Sequence, residues 1–166
     1  MAAPDIVMYE EEFNLIKQII SKLRVDANAK VVFLVDKNGQ QIAAHGEIDN
    51  LDTTSLASLT AGNVAATDGL ARLIGEKEFS ILFHEGEKDN IHISIVAQRV
   101  ILVVIFDERS SLGLVRLRVK KASQDLNDVF SKIMQKVERE KAATGAGFES
   151  PFAEITDDDI DALFAE

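Results

Sequence analysis

The stretch "FSILFHEGEKDNIHISIVAQRVILVVIFDER", residues 79–109, contains three apolar runs and decides the fold. The runs cover residues 79–85, 91–97 and 100–106, and their Ile, Val and Phe content favours β-strands. The intervening segments "EGEKDN" and "QR" are too short for the crossover that parallel strands require. The stretch therefore predicts three antiparallel strands that follow one another.

A second apolar segment, "KVVFLVDKNGQQIAAHG", residues 30–46, predicts two more strands. The Asn-Gly pair at 38–39 separates them, and it supplies the positive φ angles of a tight hairpin turn. These two strands are predicted to pair antiparallel, which brings the expected sheet to five strands.

Three helices are predicted around the strands from apolar residues spaced three and four apart. The first spans residues 9–26, and the second begins at a cap among residues 52–54 and continues to about Gly75. The third follows a serine cap at 110 or 111 and ends in "KVEREK". The resulting order is α-β-β-α-β-β-β-α, an α+β fold with a five-stranded antiparallel sheet and helices on both faces.

The 166 residues, 46% apolar, are enough for one domain, which we place at residues 1–140. Residues 141–153 contain Gly and Pro breakers and predict a flexible linker. Residues 154–166 predict a short acidic amphipathic helix, capped by Thr156. Its apolar side is formed by Ile155, Ile160, Leu163 and Phe164.

Composition excludes several classes of function. The net charge of −10 opposes nucleic-acid binding, and six of those ten charges fall in residues 141–166. The chain has no cysteine, so no disulfide framework or thiolate metal site is expected. No apolar run approaches the ~18 residues of a membrane span, and the N-terminus lacks a secretory pattern. A cytoplasmic protein without membrane insertion is expected.

No motif indicates chemistry by the chain's own residues. Glycine-rich phosphate loops and the GxSxG nucleophile motif are absent. His45, His84 and His92 lie on or beside strands without metal-ligand spacing, and "TDDDIDALF" lacks the Gly and Glu of a calcium loop. We expect no catalytic residue, cofactor or metal. The basic stretch "VRLRVKK" predicts a solvated helix surface, with an acidic partner patch as the alternative.

The second predicted helix contains "SLASLTAGNVAATDGLARLIG", residues 55–75, in which two glycines each cost about 1 kcal/mol relative to alanine. At ~100° per residue, one arc is apolar and is predicted to face the core. It carries Leu56, Leu59, Asn63, Ala66, Leu70, Leu73 and Ile74. The opposite arc carries Ser58, Ala61, Gly62, Ala65, Gly69 and Arg72. This small-residue arc predicts a docking face for a protein, with a close helix crossing inside the domain as the alternative.

Several long blocks resemble the Roadblock superfamily and, within it, the MglB family of bacterial GTPase regulators. The blocks are "MYEEEF", "DANAKVVFLVDKNGQ", "DTTSLASLTAGNVAA", "RVILVVIFDERSSLGLVRLRVKKAS" and "SPFAEITDDDIDALF". They cover nearly the whole chain, in order, and residues 141–149 are the least distinctive part. The resemblance implies a homodimer in which the second helix and third strand of each subunit meet, so that two sheets become one.

The resemblance also implies a function, activation of GTP hydrolysis by a Ras-like small GTPase of the MglA type. Two of these chains would bind one GTPase, which supplies its own catalytic Arg and Gln. The implied docking surface includes Ala61, Ala65 and Gly69, and we place Arg72 in the interface without a finger role. The family further implies a cytoplasmic protein of polarity and motility, concentrated at a cell pole.

The acidic C-terminal helix is expected to dock on the GTPase and to modulate affinity or nucleotide exchange. A solubilising tail is the alternative. Two rival functions remain open at this point: a non-catalytic Roadblock scaffold that anchors a GTPase, and an enzyme or small-molecule sensor, for which the sequence offers no convergent polar cluster. A GTP turnover assay separates activator from scaffold.

Overall fold

The computed structural model describes residues 9–145, which form three helices and five strands in the predicted order. The elements are α1 Glu10–Asp26, β1 Val31–Asp36, β2 Gln41–Gly46, α2 Thr53–Leu73, β3 Ile81–His84, β4 Asn90–Val96, β5 Val100–Phe106 and α3 Leu112–Gly145. The α-β-β-α-β-β-β-α prediction is confirmed. Strand β3 is shorter than the predicted 79–85, and β4 begins and ends one residue earlier than predicted.

All five strands form one antiparallel sheet in the order β2-β1-β5-β4-β3. Strands β1 and β5 are apolar almost throughout because both faces of the sheet are covered there. Val32 and Leu34 of β1 face α1 and α3, whereas Val31 and Phe33 face α2. The prediction of helices on both faces is therefore confirmed.

The turn between β1 and β2 is looser than the Asn-Gly pair predicts. Gly39 has a positive φ of 90°, but Asn38 does not, so the expected turn with two positive φ angles is wrong. The Asp36 carboxylate instead accepts hydrogen bonds from the backbone N–H groups of Asn38 and Gln40, both at 2.9 Å. This side chain stabilises a longer loop in which only Gly39 needs glycine's conformational freedom.

The turn between β4 and β5 contains the pair of positive φ angles that was expected in the first hairpin. Ala97 and Gln98 have φ values of 53° and 59°, and the Arg99 N–H donates to the Val96 carbonyl at 3.2 Å. Positive φ values at both central positions match the right-handed twist of the flanking strands. No glycine marks this turn in the sequence.

The caps predicted for α2 and α3 are present, whereas the predicted cap Thr156 lies outside the described residues. Asp52 accepts a hydrogen bond from the Ser55 N–H at 3.1 Å, and the Ser111 hydroxyl accepts one from Leu114 at 3.2 Å. Helix α3 continues to Gly145, so residues 141–145 are helical where a linker is predicted.

The rest of the predicted linker and the C-terminal helix with Ile155, Ile160, Leu163 and Phe164 lie outside the described residues. Within residues 9–145, no helix is both long and apolar enough to cross a membrane.

Candidate functional site

Helix α2 packs on the sheet through its small residues. Ala57, Ala61, Val64 and Ala71 are buried, and Ala61 is only 8% exposed. The first three of these contact a cluster of large apolar strand residues that includes Phe33. Leu56 of the predicted core arc also packs on this cluster and is partly buried. The arc as a whole is wrong, because this sheet face already carries bulky side chains and small helix residues allow close approach.

The opposite side of α2 exposes an apolar ridge, formed by Leu59, Leu70, Leu73 and Ile74. Leu73 is 83% exposed, and the other three are each at least 60% exposed. These residues were predicted to face the core. Leu70, Leu73 and Ile74 lie at the C-terminal end of α2, and Leu59 lies about three turns earlier on the helix. Exposed large apolar side chains on one side of a helix are typical of a protein interaction surface. We call these four residues the α2 ridge.

Strand β3 lies beside α2 and forms one edge of the sheet, since its strand partner is β4 alone among the described strands. Ile81 and Phe83 are partly exposed on this edge, and the Phe83 ring stacks on Phe106 with centroids 6.1 Å apart. The side chains of Asn63 and His84 join α2 to β3 through a 3.0 Å contact. An apolar edge strand presents unpaired backbone groups to another strand.

Three of the four predicted docking residues lie together on the accessible side of α2. Ala65 and Arg72 are exposed and Gly69 is half-buried, and the helical spacing places all three along one flank next to the α2 ridge. We call these residues the α2 flank. A Cβ atom added at Gly69 meets nothing within 4 Å, so this surface is open. Ala61 is separated from them because it faces the sheet.

Arg72 contacts its own helix: its Nε atom donates to the Asp68 carbonyl at 3.4 Å. Within residues 9–145, no group of three His, Asp or Glu side chains is placed to hold a metal ion. The described part of the chain thus exposes apolar side chains along α2 and β3.

The family model for the Roadblock/LC7 domain matches residues 15–106, which run from within α1 to the end of β5. The chain belongs to the Roadblock/LC7 family. The α-β-β-α-β-β-β-α order and the five-stranded antiparallel sheet are consistent with the Roadblock fold.

Solved MglB structures are similar to this Roadblock chain over most of their length. Myxococcus xanthus MglB is 64% identical, with a TM-score of 0.73, and the match covers 76% of this chain and 96% of that one. The gliding protein MglB from Thermus thermophilus is 29% identical, with a TM-score of 0.74 and coverage of 79% and 99%. An MglB solved in a tetrameric arrangement is 28% identical, with a TM-score of 0.73 and coverage of 80% and 99%. The curated proteins searched contain no match.

Sequence reasoning missed the α2 ridge and placed Ala61 on the wrong side of the helix. A signal for the correct orientation is present: Ala57, Ala61, Val64 and Ala71 recur at helical spacing without one charged residue. The pattern was missed because the large apolar side chains of α2, and not the small ones, were assumed to be buried.

Proposed function

We propose that this Roadblock protein activates GTP hydrolysis by a Ras-like small GTPase of the MglA type. The observation that carries the proposal is the 64% identity to Myxococcus xanthus MglB over 96% of that chain. The protein acts as a regulator in the cytoplasm, concentrated at a cell pole, in polarity and motility. The catalytic groups belong to the GTPase.

The active form in this proposal is a homodimer joined through the α2 ridge and the β3 edge. A second copy would cover the exposed leucines of the ridge, and pairing of two β3 strands would join the two sheets. The tetrameric arrangement named for one MglB relative supports self-association in this family. Two chains then contact one GTPase.

The GTPase docks on the α2 flank, made of Ala65, Gly69 and Arg72. Small side chains there allow the partner's backbone to approach closely and lose little side-chain entropy on binding. Ala61, which the resemblance places in the same surface, supports the flank from the sheet side because it is buried. The contact favours the hydrolysis-competent switch arrangement of the GTPase, which shifts its population toward that state.

Activation requires no arginine finger from this chain. Arg72 is the candidate cation on the flank, and we give it an interface role, since its Nε atom is bonded to the Asp68 carbonyl of its own helix. The acidic segment at residues 154–166 binds the GTPase through Ile155, Ile160, Leu163 and Phe164, and adjusts affinity or nucleotide exchange. Deleting residues 148–166 should therefore change exchange or affinity, whereas identical values for both would exclude this role.

The experiment that tests the proposal is single-turnover GTP hydrolysis by an MglA-type GTPase, with and without this protein. Acceleration that survives Arg72→Ala would support activation without a finger. Acceleration lost in Arg72→Ala, with binding retained, would assign Arg72 a catalytic role. Binding without acceleration would identify a non-catalytic scaffold and contradict the activator proposal.

A further inference from the structure

A groove of about 630 Å³ lies on the sheet face opposite α2, between helix α3 and strands β3 and β4. Ile81, His92 and Ser94 line it from the strands, and Arg116, Val119 and Lys120 line it from α3. Ile81 and Ser94 are directly paired across the β3–β4 ladder. We call this cavity the α3–β4 groove, and its volume is within the range of small-molecule sites.

The floor of the groove contains buried polar atoms without partners. His92 is 1% exposed and Ser94 is 5% exposed. Among the described residues 9–145, neither ring nitrogen of His92 nor the Ser94 hydroxyl has a hydrogen-bond partner. Buried polar groups in folded proteins are nearly always satisfied, so these three atoms point to a polar group supplied from outside residues 9–145.

The charged residues that line the groove indicate the sign of the ligand's charge. Arg116 and Lys120 are exposed one turn apart on α3, and no Asp or Glu lines the groove. No ion pair involves either cation within residues 9–145. Two unpaired cations beside one cavity, in a chain of net charge −10, favour an anion there.

The protonation state of His92 limits which ligand groups can form hydrogen bonds with it. Burial, and next the nearby Arg116 charge, lower the His92 pKa below its usual value. The neutral imidazole offers one donor and one acceptor, and the Ser94 hydroxyl can act as either. A ligand hydroxyl matches this pair because it also donates and accepts.

We propose that the α3–β4 groove binds a hydroxylated medium-chain carboxylate. Its carboxylate pairs with Arg116 and Lys120, its hydroxyl bonds to His92 and Ser94, and its apolar chain packs on Ile81 and Val119. This site lies on the sheet face away from the α2 ridge and flank. It shares Ile81 with the β3 edge of the proposed homodimer. Ligand binding there is measured without a GTPase, so failure of this site is distinguishable from failure of GTPase activation.

The primary test is calorimetric titration of the full-length protein with 3-hydroxydecanoate, decanoate and decanol. We expect 3-hydroxydecanoate to bind most tightly. Arg116→Gln with Lys120→Gln should weaken both carboxylates at least about tenfold without changing decanol binding. The matched control, Arg118→Gln with Lys121→Gln, removes the same charge from residues that line a different cavity between α1 and α3. Equal losses in the two double variants would overturn the assignment.

Two further measurements test where the ligand's hydroxyl group binds and whether the ligand occupies the groove. Ser94→Ala should abolish the preference for 3-hydroxydecanoate over decanoate, and an unchanged preference would contradict the buried contact. The chain has three histidines, so imidazole NMR signals report the position directly, and only His92 should shift strongly. Absence of binding at millimolar probe, or an unmoved His92 signal, would refute the site.

The acidic C-terminal segment of the chain itself is the competing occupant. Leu163→Asp with Phe164→Asp, made in the full-length protein, removes its apolar side and leaves the groove intact. The same probe affinity as wild type supports the small-molecule site. Probe binding that appears only in this variant would overturn it, since the chain's own segment would then fill the groove.

Discussion

The Asn63 amide nitrogen on α2 lies 3.0 Å from the His84 Nε2 atom on β3, so the helix and the edge strand are joined by a side-chain contact. These are the two elements that the proposed homodimer brings together. The contact holds α2 and β3 beside each other at the side of the domain where that homodimer would form.

The first prediction concerns the α2 ridge. Leu70→Asp with Leu73→Asp should dissociate the homodimer, because each leucine is exposed in one chain and occurs twice in a symmetric interface. At about 1.5–3 kcal/mol for each buried leucine, the dissociation constant should rise at least about a hundredfold. Light scattering at micromolar concentration measures the change. Val25→Asp with Leu117→Asp, two exposed apolar positions on α1 and α3, should leave a dimer.

The second prediction separates the α2 flank from the sheet side of the helix. Ala65→Arg with Gly69→Arg should abolish GTPase binding and keep the fold, because both positions have open space. Ala61→Arg should instead lower the free energy of unfolding by at least about 2 kcal/mol, because it inserts a charge between α2 and the sheet. Co-elution with the GTPase and denaturant unfolding distinguish the two effects. Unchanged co-elution of the Ala65/Gly69 variant would remove the docking assignment.

The third prediction concerns the glycines of α2. Gly62→Ala and Gly69→Ala should each raise the free energy of unfolding by about 0.5–1 kcal/mol, since an added Cβ meets nothing within 4 Å at either position. Gly39→Ala is the contrasting control, because its φ is +90° and the added Cβ would lie 3.2 Å from the Ser58 Cα atom. Urea titration measures all three. Stabilisation by Gly39→Ala would contradict the backbone argument.

The fourth prediction concerns pH and His92. Its pKa is lowered in the folded protein, so the unfolded chain takes up a proton first as the pH falls through about 6.5. The free energy of unfolding should therefore decrease from pH 7 toward the lower folded-state pKa and then stop responding to this group. His92→Leu should show a smaller decrease over the same range in urea titrations. Parallel pH profiles for the two proteins would be inconsistent with a depressed pKa.

The strands and the helix order could be predicted from the sequence because their signals are local. Strand β5, "VILVVIF", and the caps Asp52 and Ser111 depend on residues within a few positions of one another. The orientation of α2 could not be predicted in the same way. It depends on the sheet face beneath, where Phe33 and Ile101 already fill the space that leucines would need.

The α3–β4 groove also could not be predicted from a sequence pattern. His92 and Arg116 are on different elements, and nothing in their spacing predicts that both line one cavity. No local sequence motif marks the groove, because its polar residues are brought together by the register of β4 and the position of α3. Only the three-dimensional arrangement shows which buried polar atoms lack partners.

The strand order also governs when the sheet can form during synthesis. Strand β5 is the last of the five strands in sequence, but it lies between β1 and β4 in the sheet. The β1–β2 and β3–β4 pairs therefore remain separate until residues 100–106 leave the ribosome. Val31 then pairs with Ile105 across most of the domain, a non-local contact of the kind that slows folding. A chain interrupted before β5 would expose the apolar edges of both hairpins. Completion of the Roadblock sheet is therefore a single late event, triggered by its central strand.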